Sequence, residues 1–198
     1  MGNNAGPHIA NIYLHVYEYQ YISTLILNND LVSLKSLSSI FRFQDDLLSL
    51  NDNGKFNDVL SDIYPTSMVI NNTNISPAKS SYLDLMISVY RGKYRVSLYD
   101  KRKDFSFSVI SYPFLDGNVP KAQSYGIFIS QLVRFSRINS TYNGFYKDVK
   151  CLVDKLISQC FNNAALRKKF LKFHTSYIDL WGKFGIDINN KLFLDLFL

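Results

Sequence analysis

Two adjacent carboxylates, Asp45 and Asp46, stand between two apolar runs in residues 41–50, which have the sequence FRFQDDLLSL. Strand-forming residues on both sides of a tight acidic pair predict a β-hairpin whose tip presents both carboxylates to one solvent-facing spot. Carboxylate oxygens are the ligands that Mg²⁺ prefers, so this tip predicts a divalent metal site of the kind that supports nucleotidyl transfer. An acidic turn between two strands, without a metal, explains the same residues.

The segment before this hairpin has the pattern of a helix over residues 7–27, which must position it. Pro7 suits the first turn of a helix, where a backbone N–H has no partner in any case. Six apolar or aromatic side chains fall on one stripe of this helix, which we interpret as the face that packs in the core. They are Ile9, Ile12, Tyr13, Val16, Tyr17 and Tyr21.

The rest of the chain predicts an α+β fold, with sheet elements first and helices last. Residues 81–100 alternate apolar and polar side chains around Arg91-Gly92, which predicts a second hairpin. The boundary between two domains is expected between residues 117 and 118, giving domains 1–117 and 118–198. The other expected elements are a helix over 57–63, strands over 67–70 and 105–114, and helices over 126–138, 145–161 and 166–184.

Charge is unevenly distributed along the chain. Residues 1–90 contain four basic and eight acidic side chains, whereas residues 91–198 contain 18 basic and eight acidic ones. An acidic first half and a basic second half suit a metal site followed by a surface that binds a polyanion such as nucleic acid. A solvated basic face, or an ordinary small helical bundle, explains the second half equally well.

Composition excludes some classes of protein. A chain of 198 residues with 47% hydrophobic side chains can bury a proper core, so it is neither disordered nor fibrous. The longest apolar runs fall short of the about eighteen residues of a membrane span, so no membrane partner is expected. With no targeting signal in the sequence, we expect an intracellular protein of the nucleus or cytoplasm.

Several blocks of the sequence resemble the reverse transcriptases of retroelements, closest to the Penelope-like group. Residues 1–18, with MGNN, Pro7, IANIYL and Glu18, resemble the motif that begins the helix before the catalytic hairpin, and RFQDDLL over residues 42–48 resembles the catalytic aromatic-x-Asp-Asp motif. The likeness extends through YLDL, YDKR, FSF, PFL, NVP and YGIFISQLVRFSR, in this order, over residues 82–137. It covers nearly the whole chain.

The resemblance implies a partial polymerase palm, made of helix, catalytic hairpin and second hairpin, followed by a basic helical bundle that is thumb-like or helix-turn-helix-like. It implies that Asp45 and Asp46 bind catalytic Mg²⁺ or Mn²⁺. It also places Gly2, Pro7, Phe43 and Gln44 near the nucleotide and primer, with Phe43 packed beneath the hairpin. Phe43 stands where the family more often has Tyr, and Ala5-Gly6 where relatives commonly have Cys-Ala.

The resemblance further implies partners and an incomplete site. The partners would be an RNA template and a DNA primer, with phosphate contacts from Lys101, Arg102, Arg134 and Arg137. The family's fingers, and an earlier palm strand with another essential carboxylate, have no counterpart in these residues, so an amino-terminal polymerase segment is a further expected partner. We therefore expect no polymerisation by this chain alone. The alternatives are a non-catalytic nucleic-acid-binding module of helix-turn-helix type and an interaction protein without a nucleic-acid role.

Overall fold

The computed structural model describes residues 4–51, 54–107, 109–185 and 195–197. Contacts divide the chain into two compact units, residues 1–73 (unit 1) and residues 74–198 (unit 2). Each unit combines α-helices with a small antiparallel sheet, so the predicted α+β class is confirmed.

Unit 1 consists of helices and one two-stranded hairpin. Pro7 lies in the first turn of the first helix, as predicted. The second helix is capped by Asp30, whose carboxylate accepts a hydrogen bond from the backbone N–H of Ser33 at 3.0 Å. A hydrogen bond from the Ser33 hydroxyl, at 2.6 Å, and this backbone bond lower the pKa of Asp30. In chain order, the elements are α1 (Gly6–Leu27), α2 (Leu31–Leu37), β1 (Ile40–Phe43), β2 (Asp46–Ser49) and α3 (Lys55–Ile63).

The predicted core face of α1 is wrong for most of its length. Ile9 is 62% exposed and Ile12 is 67% exposed, and Tyr13 and Val16 are also exposed. The helix contacts the small core of unit 1 through Leu14, which is not on the predicted stripe, and through Tyr21, which is. That core consists of Phe56, Ile63 and Tyr64, against which Leu14, Tyr21, Leu37, Ile40, Leu47, Val59, Leu60 and Met68 pack.

Unit 2 begins with a three-stranded antiparallel sheet of order β3-β4-β5. The predicted second hairpin is confirmed, and Arg91 and Gly92 at its turn both have positive φ angles, 50° and 71°, as a type I′ turn requires. The first strand lacks apolar alternation and was not predicted. The strands are β3 (Lys79–Tyr82), β4 (Leu85–Tyr90) and β5 (Lys93–Leu98), and a short 3₁₀ helix follows at Lys101–Asp104.

In the described part of unit 2, the regular elements that follow the sheet are helices. Thr141 and Asn162 cap two of them by accepting hydrogen bonds from backbone N–H groups three residues later, at 3.3 and 3.0 Å. The predicted helix over 166–184 ends early, at Ser176, and a separate short helix follows. The helices are α4 (Lys121–Ile138), α5 (Tyr142–Ser158), α6 (Asn163–Ser176) and α7 (Ile178–Trp181), with short 3₁₀ helices at Gly182–Phe184 and Asp195–Phe197.

The core of unit 2 is larger than that of unit 1 and lies mainly between α4, α5 and α6. Phe128 and Leu132 of α4 are fully buried there, and Leu98 at the end of β5 packs against the same cluster. Its other fully buried members include Phe145, Val149, Val153, Leu156 and Leu166.

Two predicted strands do not form. Residues 67–70 begin inside a turn that is closed by the bond from the Met68 N–H to the Pro65 carbonyl, and none of them is assigned to a strand. The described part of 105–114, which excludes residue 108, consists of bends and irregular backbone. Ser140 occupies the free edge of β5 instead, because its N–H donates to the Val96 carbonyl and its hydroxyl accepts from the Val96 N–H, both at 2.9 Å.

The division into units does not coincide with the predicted boundary between residues 117 and 118. The second hairpin, which was predicted to belong with the first part of the chain, lies in unit 2. The reason is packing, since β5 contacts both α4 and α5. The palm and thumb labels remain predictions.

Candidate functional site

The two carboxylates lie at the tip of the β1–β2 hairpin. Phe43 pairs with Asp46, so Gln44 and Asp45 form a two-residue loop. Gln44 has a φ of 54° whereas Asp45 does not have a positive φ, which is the pattern of a type II′ turn with a side chain where glycine is usual. Asp45 and Asp46 are both exposed. The hairpin therefore presents the pair to solvent, as the sequence predicts.

Arg42 fixes the hairpin to α1. Its guanidinium donates to both carboxylate oxygens of Glu18, from Nε at 2.6 Å and from Nη2 at 3.2 Å. It also donates to the side-chain and backbone oxygens of Asn11, at 2.7 and 3.3 Å. A bidentate pair of this kind restricts orientation as well as distance, so the acidic tip has a defined position on the helix.

Tyr64 completes this network from the end of α3. Its hydroxyl donates to Glu18 Oε1 at 2.7 Å. Burial, together with this hydrogen bond to a carboxylate, raises the pKa of Tyr64 well above its usual value. Glu18 is therefore occupied by two partners, and it is not available as a metal ligand beside the aspartates.

The other residues predicted near the nucleotide have less defined positions. Pro7 is exposed in the first turn of α1, one turn before Asn11. Phe43 is 53% exposed, so the expectation that it packs beneath the hairpin is wrong within the described structure. Gly2 lies outside the described residues.

The aspartate pair fits part of a metal site. The described residues contain no group of three or more His, Cys, Asp or Glu side chains that could hold a metal ion. Mg²⁺ in phosphate-transferring sites is commonly held by one or two carboxylates, with water and substrate phosphates completing the shell. Asp45 and Asp46 could be the one or two carboxylates that the protein contributes.

A cationic cleft lies in unit 2, between the 3₁₀ helix after β5 and helices α4 and α5. It contains two of the predicted phosphate-binding residues, Arg102 and Arg134, together with Lys103 and Lys155. Its carboxylates are fewer than its cations. The complete lining is Leu98, Tyr99, Asp100, Arg102, Lys103, Tyr112, Gln131, Arg134, Phe135, Asp148, Cys151, Leu152 and Lys155.

Both arginines of the cleft are held by carboxylates. Arg102 donates to the two oxygens of Asp100 at 2.7 and 3.0 Å, and this hydrogen bonding lowers the pKa of Asp100. Arg134 donates from Nε and Nη2 to one oxygen of Asp84, at 3.1 and 2.8 Å. Since Nη1 takes no part in that pair, Arg134 keeps donors for an anion in the cleft.

Asp148 is a titratable carboxylate in the lining of the cleft. Burial raises its pKa, although Asn139 Nδ2 donates a hydrogen bond to it at 2.8 Å. Burial likewise raises the pKa of Tyr112, which contacts Arg102. A neutral Asp148 would leave the cleft more positive, because one of its two carboxylates would lose its charge.

Sequence reasoning found only part of this cleft. Lys101 and Arg137 are exposed and do not line it. The residues that were missed on α5 include Asp148, Cys151, Leu152 and Lys155, whose i, i+3, i+4, i+7 spacing places them on one helix face. That spacing is a sequence signal, but nothing in the sequence indicates that this face meets Arg102.

Comparison of the chain with protein-family models, with curated proteins and with solved structures gives no match. Among the helices of the described residues, none combines the length and the apolar character that a membrane span needs.

Proposed function

We propose that the chain is part of an RNA-directed DNA polymerase of the reverse transcriptase type. The observation that carries this proposal is the position of Asp45 and Asp46, exposed at the tip of a two-residue hairpin that Arg42 ties to Glu18 of the preceding helix. The order of helix, hairpin and acidic tip agrees with the motif order that the sequence resembles.

In this proposal Asp45 and Asp46 hold divalent metal. Bound Mg²⁺ or Mn²⁺ would supply activation of a primer 3′-hydroxyl and neutralisation of the triphosphate. The two carboxylates provide oxygen ligands, and the Arg42 network keeps them in place. Gln44 lies in the turn beside them, and the exposed Phe43 ring offers an apolar surface to the primer end.

Unit 2 would bind the nucleic-acid backbone through its cleft. Phosphates suit Arg134 and Lys155 there because guanidinium and ammonium groups donate charge-assisted hydrogen bonds to them. Lys101 and Arg137 are outside the cleft but exposed, so they would contact phosphates farther along the same strand.

A further polymerase segment would cover α1. Its exposed side carries Ile9, Ile12, Val16, Tyr19 and Ile22, an apolar surface that is unusual for a helix in contact with water. We propose that the segment bearing the family's other essential carboxylate packs there, which would bring a third ligand toward Asp45 and Asp46.

Metal binding tests the proposal directly. We expect Mn²⁺, added as a paramagnetic probe to the full chain, to broaden the NMR amide signals of residues 43–47 before others, and Mg²⁺ to compete. Asp45→Asn with Asp46→Asn should abolish this broadening. The matched control is Asp58→Asn with Asp62→Asn, which removes two exposed carboxylates of the same unit. Equal loss in the control would refute a specific site.

The cleft also favours a second function, a non-catalytic nucleic-acid-binding module. Its cations lie entirely within unit 2, so binding there needs no metal at residue 45 or 46.

The two functions differ in a binding assay with a primed RNA template. If the chain is a polymerase part, Asp45→Asn with Asp46→Asn should remove the Mg²⁺ dependence of binding. If it is only a binding module, the same change should leave binding equal or slightly stronger, and an interaction protein should show no salt-dependent binding.

A further inference from the structure

The outer face of the β3–β5 sheet carries a group of cations that the cleft does not include. Side chains alternate between the two faces of a strand, and cross-strand partners share a face. Lys79 pairs with Ser88, and Ser88 pairs with Arg95, so these three side chains form a row across the sheet. Tyr90 and Lys93 pair next to this row on the same face. We call Lys79, Ser88, Tyr90, Lys93 and Arg95 the outer sheet face.

The opposite face of the sheet is the one that packs inward. Ile87 pairs with Val96, and Leu85 pairs with Leu98, which contacts the core of unit 2. The outer sheet face is therefore open to solvent, and Lys79, Lys93 and Arg95 are all exposed.

Among the residues that the structure describes, no carboxylate pairs with the cations of this face. Residues 79–98 contain one carboxylate, Asp84, which is bonded to Arg134 on α4. Within the described residues, Lys79, Arg91, Lys93 and Arg95 form no ion pair. Like charges placed this closely are unfavourable without an anion, so the face suits a polyanionic ligand.

Two arginines, Arg95 of this face and Arg91 of the adjoining turn, contact one aromatic ring. The Arg95 guanidinium carbon lies over the Tyr90 ring, 3.9 Å from its centroid, and that of Arg91 lies 5.2 Å from the same centroid. Contact through the flat face of a guanidinium leaves its in-plane N–H groups available for phosphate oxygens. The stacked pair also offers a planar surface on which a base can stack.

We infer that the outer sheet face binds single-stranded nucleic acid, with phosphates on Lys79, Lys93 and Arg95 and a base stacked at Tyr90–Arg95. Lys93 and Arg95 are two residues apart on β5, about 7 Å along the strand, and Lys79 lies two strands away, about 10 Å across the sheet. An extended single strand can follow such a path and expose its bases to stacking, whereas a duplex keeps its bases inside. This inference extends the proposed nucleic-acid binding to a surface separate from the cleft.

Fluorescence anisotropy with a labelled single-stranded oligonucleotide and a labelled duplex of equal length, over a range of NaCl concentrations, tests the inference on the full chain. Lys79→Gln, Lys93→Gln and Arg95→Gln together should reduce the salt slope for the single strand by about 2, since each phosphate contact to a single strand contributes about 0.7. The control is Arg167→Gln, Lys168→Gln and Lys172→Gln together, the same charge change on α6, which should leave the slope almost unchanged.

Tyr90→Ser provides a second readout that does not change charge. It should weaken single-strand binding by about fivefold or more through lost stacking, with the salt slope nearly constant.

Equal slopes for the outer-face and control variants, or duplex binding as tight as single-strand binding, would overturn the inference. If Arg102→Gln with Arg134→Gln abolishes binding while the outer-face variant binds normally, the proposed function stands and this inference fails. Absence of binding by the unsubstituted chain would overturn both.

Discussion

Arg42→Met should loosen the acidic hairpin from α1 more than the removal of any single exposed charge in unit 1. Arg42 crosses from β1 to the helix with four hydrogen bonds, two to Glu18 and two to Asn11, and it makes a fifth within the hairpin, from Nη1 to the Gln44 carbonyl at 3.5 Å. Methionine keeps most of the apolar stem but none of the donors. Glu18 then retains Tyr64 as its partner.

The expected cost follows from the burial of the pair. The Arg42 side chain is 14% exposed and that of Glu18 is 23% exposed. Exposed ion pairs contribute up to about 1 kcal/mol, whereas breaking a fully buried pair costs about 3–5 kcal/mol. This pair lies between these limits, so we expect a loss of about 2 kcal/mol, or roughly a 30-fold rise in hairpin opening.

Glu18→Gln separates the contribution of the ion pair to stability from the contribution of side-chain packing. In the Arg42→Met background, it removes a carboxylate that has lost its countercharge, so it should recover about 1 kcal/mol. In the natural background, it should be destabilising, because the Arg42 charge then loses its partner. The double variant should therefore be more stable than the sum of the single changes implies.

Hydrogen exchange of the backbone amides in residues 40–49, measured by mass spectrometry, reports this opening locally and so does not require both units to unfold together. Lys35→Met is the matched control, since Lys35 is exposed in the same unit and its loss should change the opening free energy by less than about 0.5 kcal/mol. Exchange that rises equally in Arg42→Met and Lys35→Met, or effects of Arg42 and Glu18 that simply add, would refute the assigned role of the pair.

Three further changes test unit 2. Gly144→Ala would place a Cβ 2.4 Å from Oδ1 of the buried Asn139, so we expect a loss of about 2 kcal/mol in denaturant unfolding, comparable to other strained core changes. Gly92→Ala meets no steric neighbour but has a φ of 71°, so it should cost only about 1 kcal/mol in the same assay, and no loss would argue against the type I′ turn. Because burial raises the pKa of Asp148 in the folded state, its contribution to stability is present below the ordinary carboxyl pKa and is lost as the pH rises through the raised value. Asp148→Asn should therefore gain stability relative to the natural chain over that pH window, in unfolding curves recorded at a series of pH values, and parallel pH profiles would contradict this.

Turn residues and side-chain alternation correctly predicted the elements that depend on a few neighbouring positions. The Asp45-Asp46 hairpin and the Arg91-Gly92 turn were found because turn residues and alternation act over a few positions. The first turn of α1, with Pro7, belongs to the same class. The placement of the aspartates at a hairpin tip thus followed from the sequence, although their function did not.

Periodicity failed on α1 because apolar residues surround most of the helix. The predicted stripe with Ile9, Ile12 and Val16 is exposed, while Leu14 and Leu25 face inward. When both sides of a helix are apolar, spacing alone cannot indicate which side meets the core. The strand predicted over residues 105–114 is absent for a different reason. Its side chains are strand-forming, but a strand also needs a partner, and Ser140 occupies the edge of β5.

The paired arginines show why a count of basic residues misplaces the binding surface. Arg134 is bonded to Asp84, 50 residues away, and Arg102 to Asp100, so neither brings a free charge to the cleft. An anion there must share each arginine with a carboxylate, and Lys103 and Lys155 carry most of the attraction. The cations of the outer sheet face form no ion pair in the described parts of the chain, so they contribute their full charge. The salt dependence of nucleic-acid binding should therefore arise more from the sheet than from the basic helices that first suggested it.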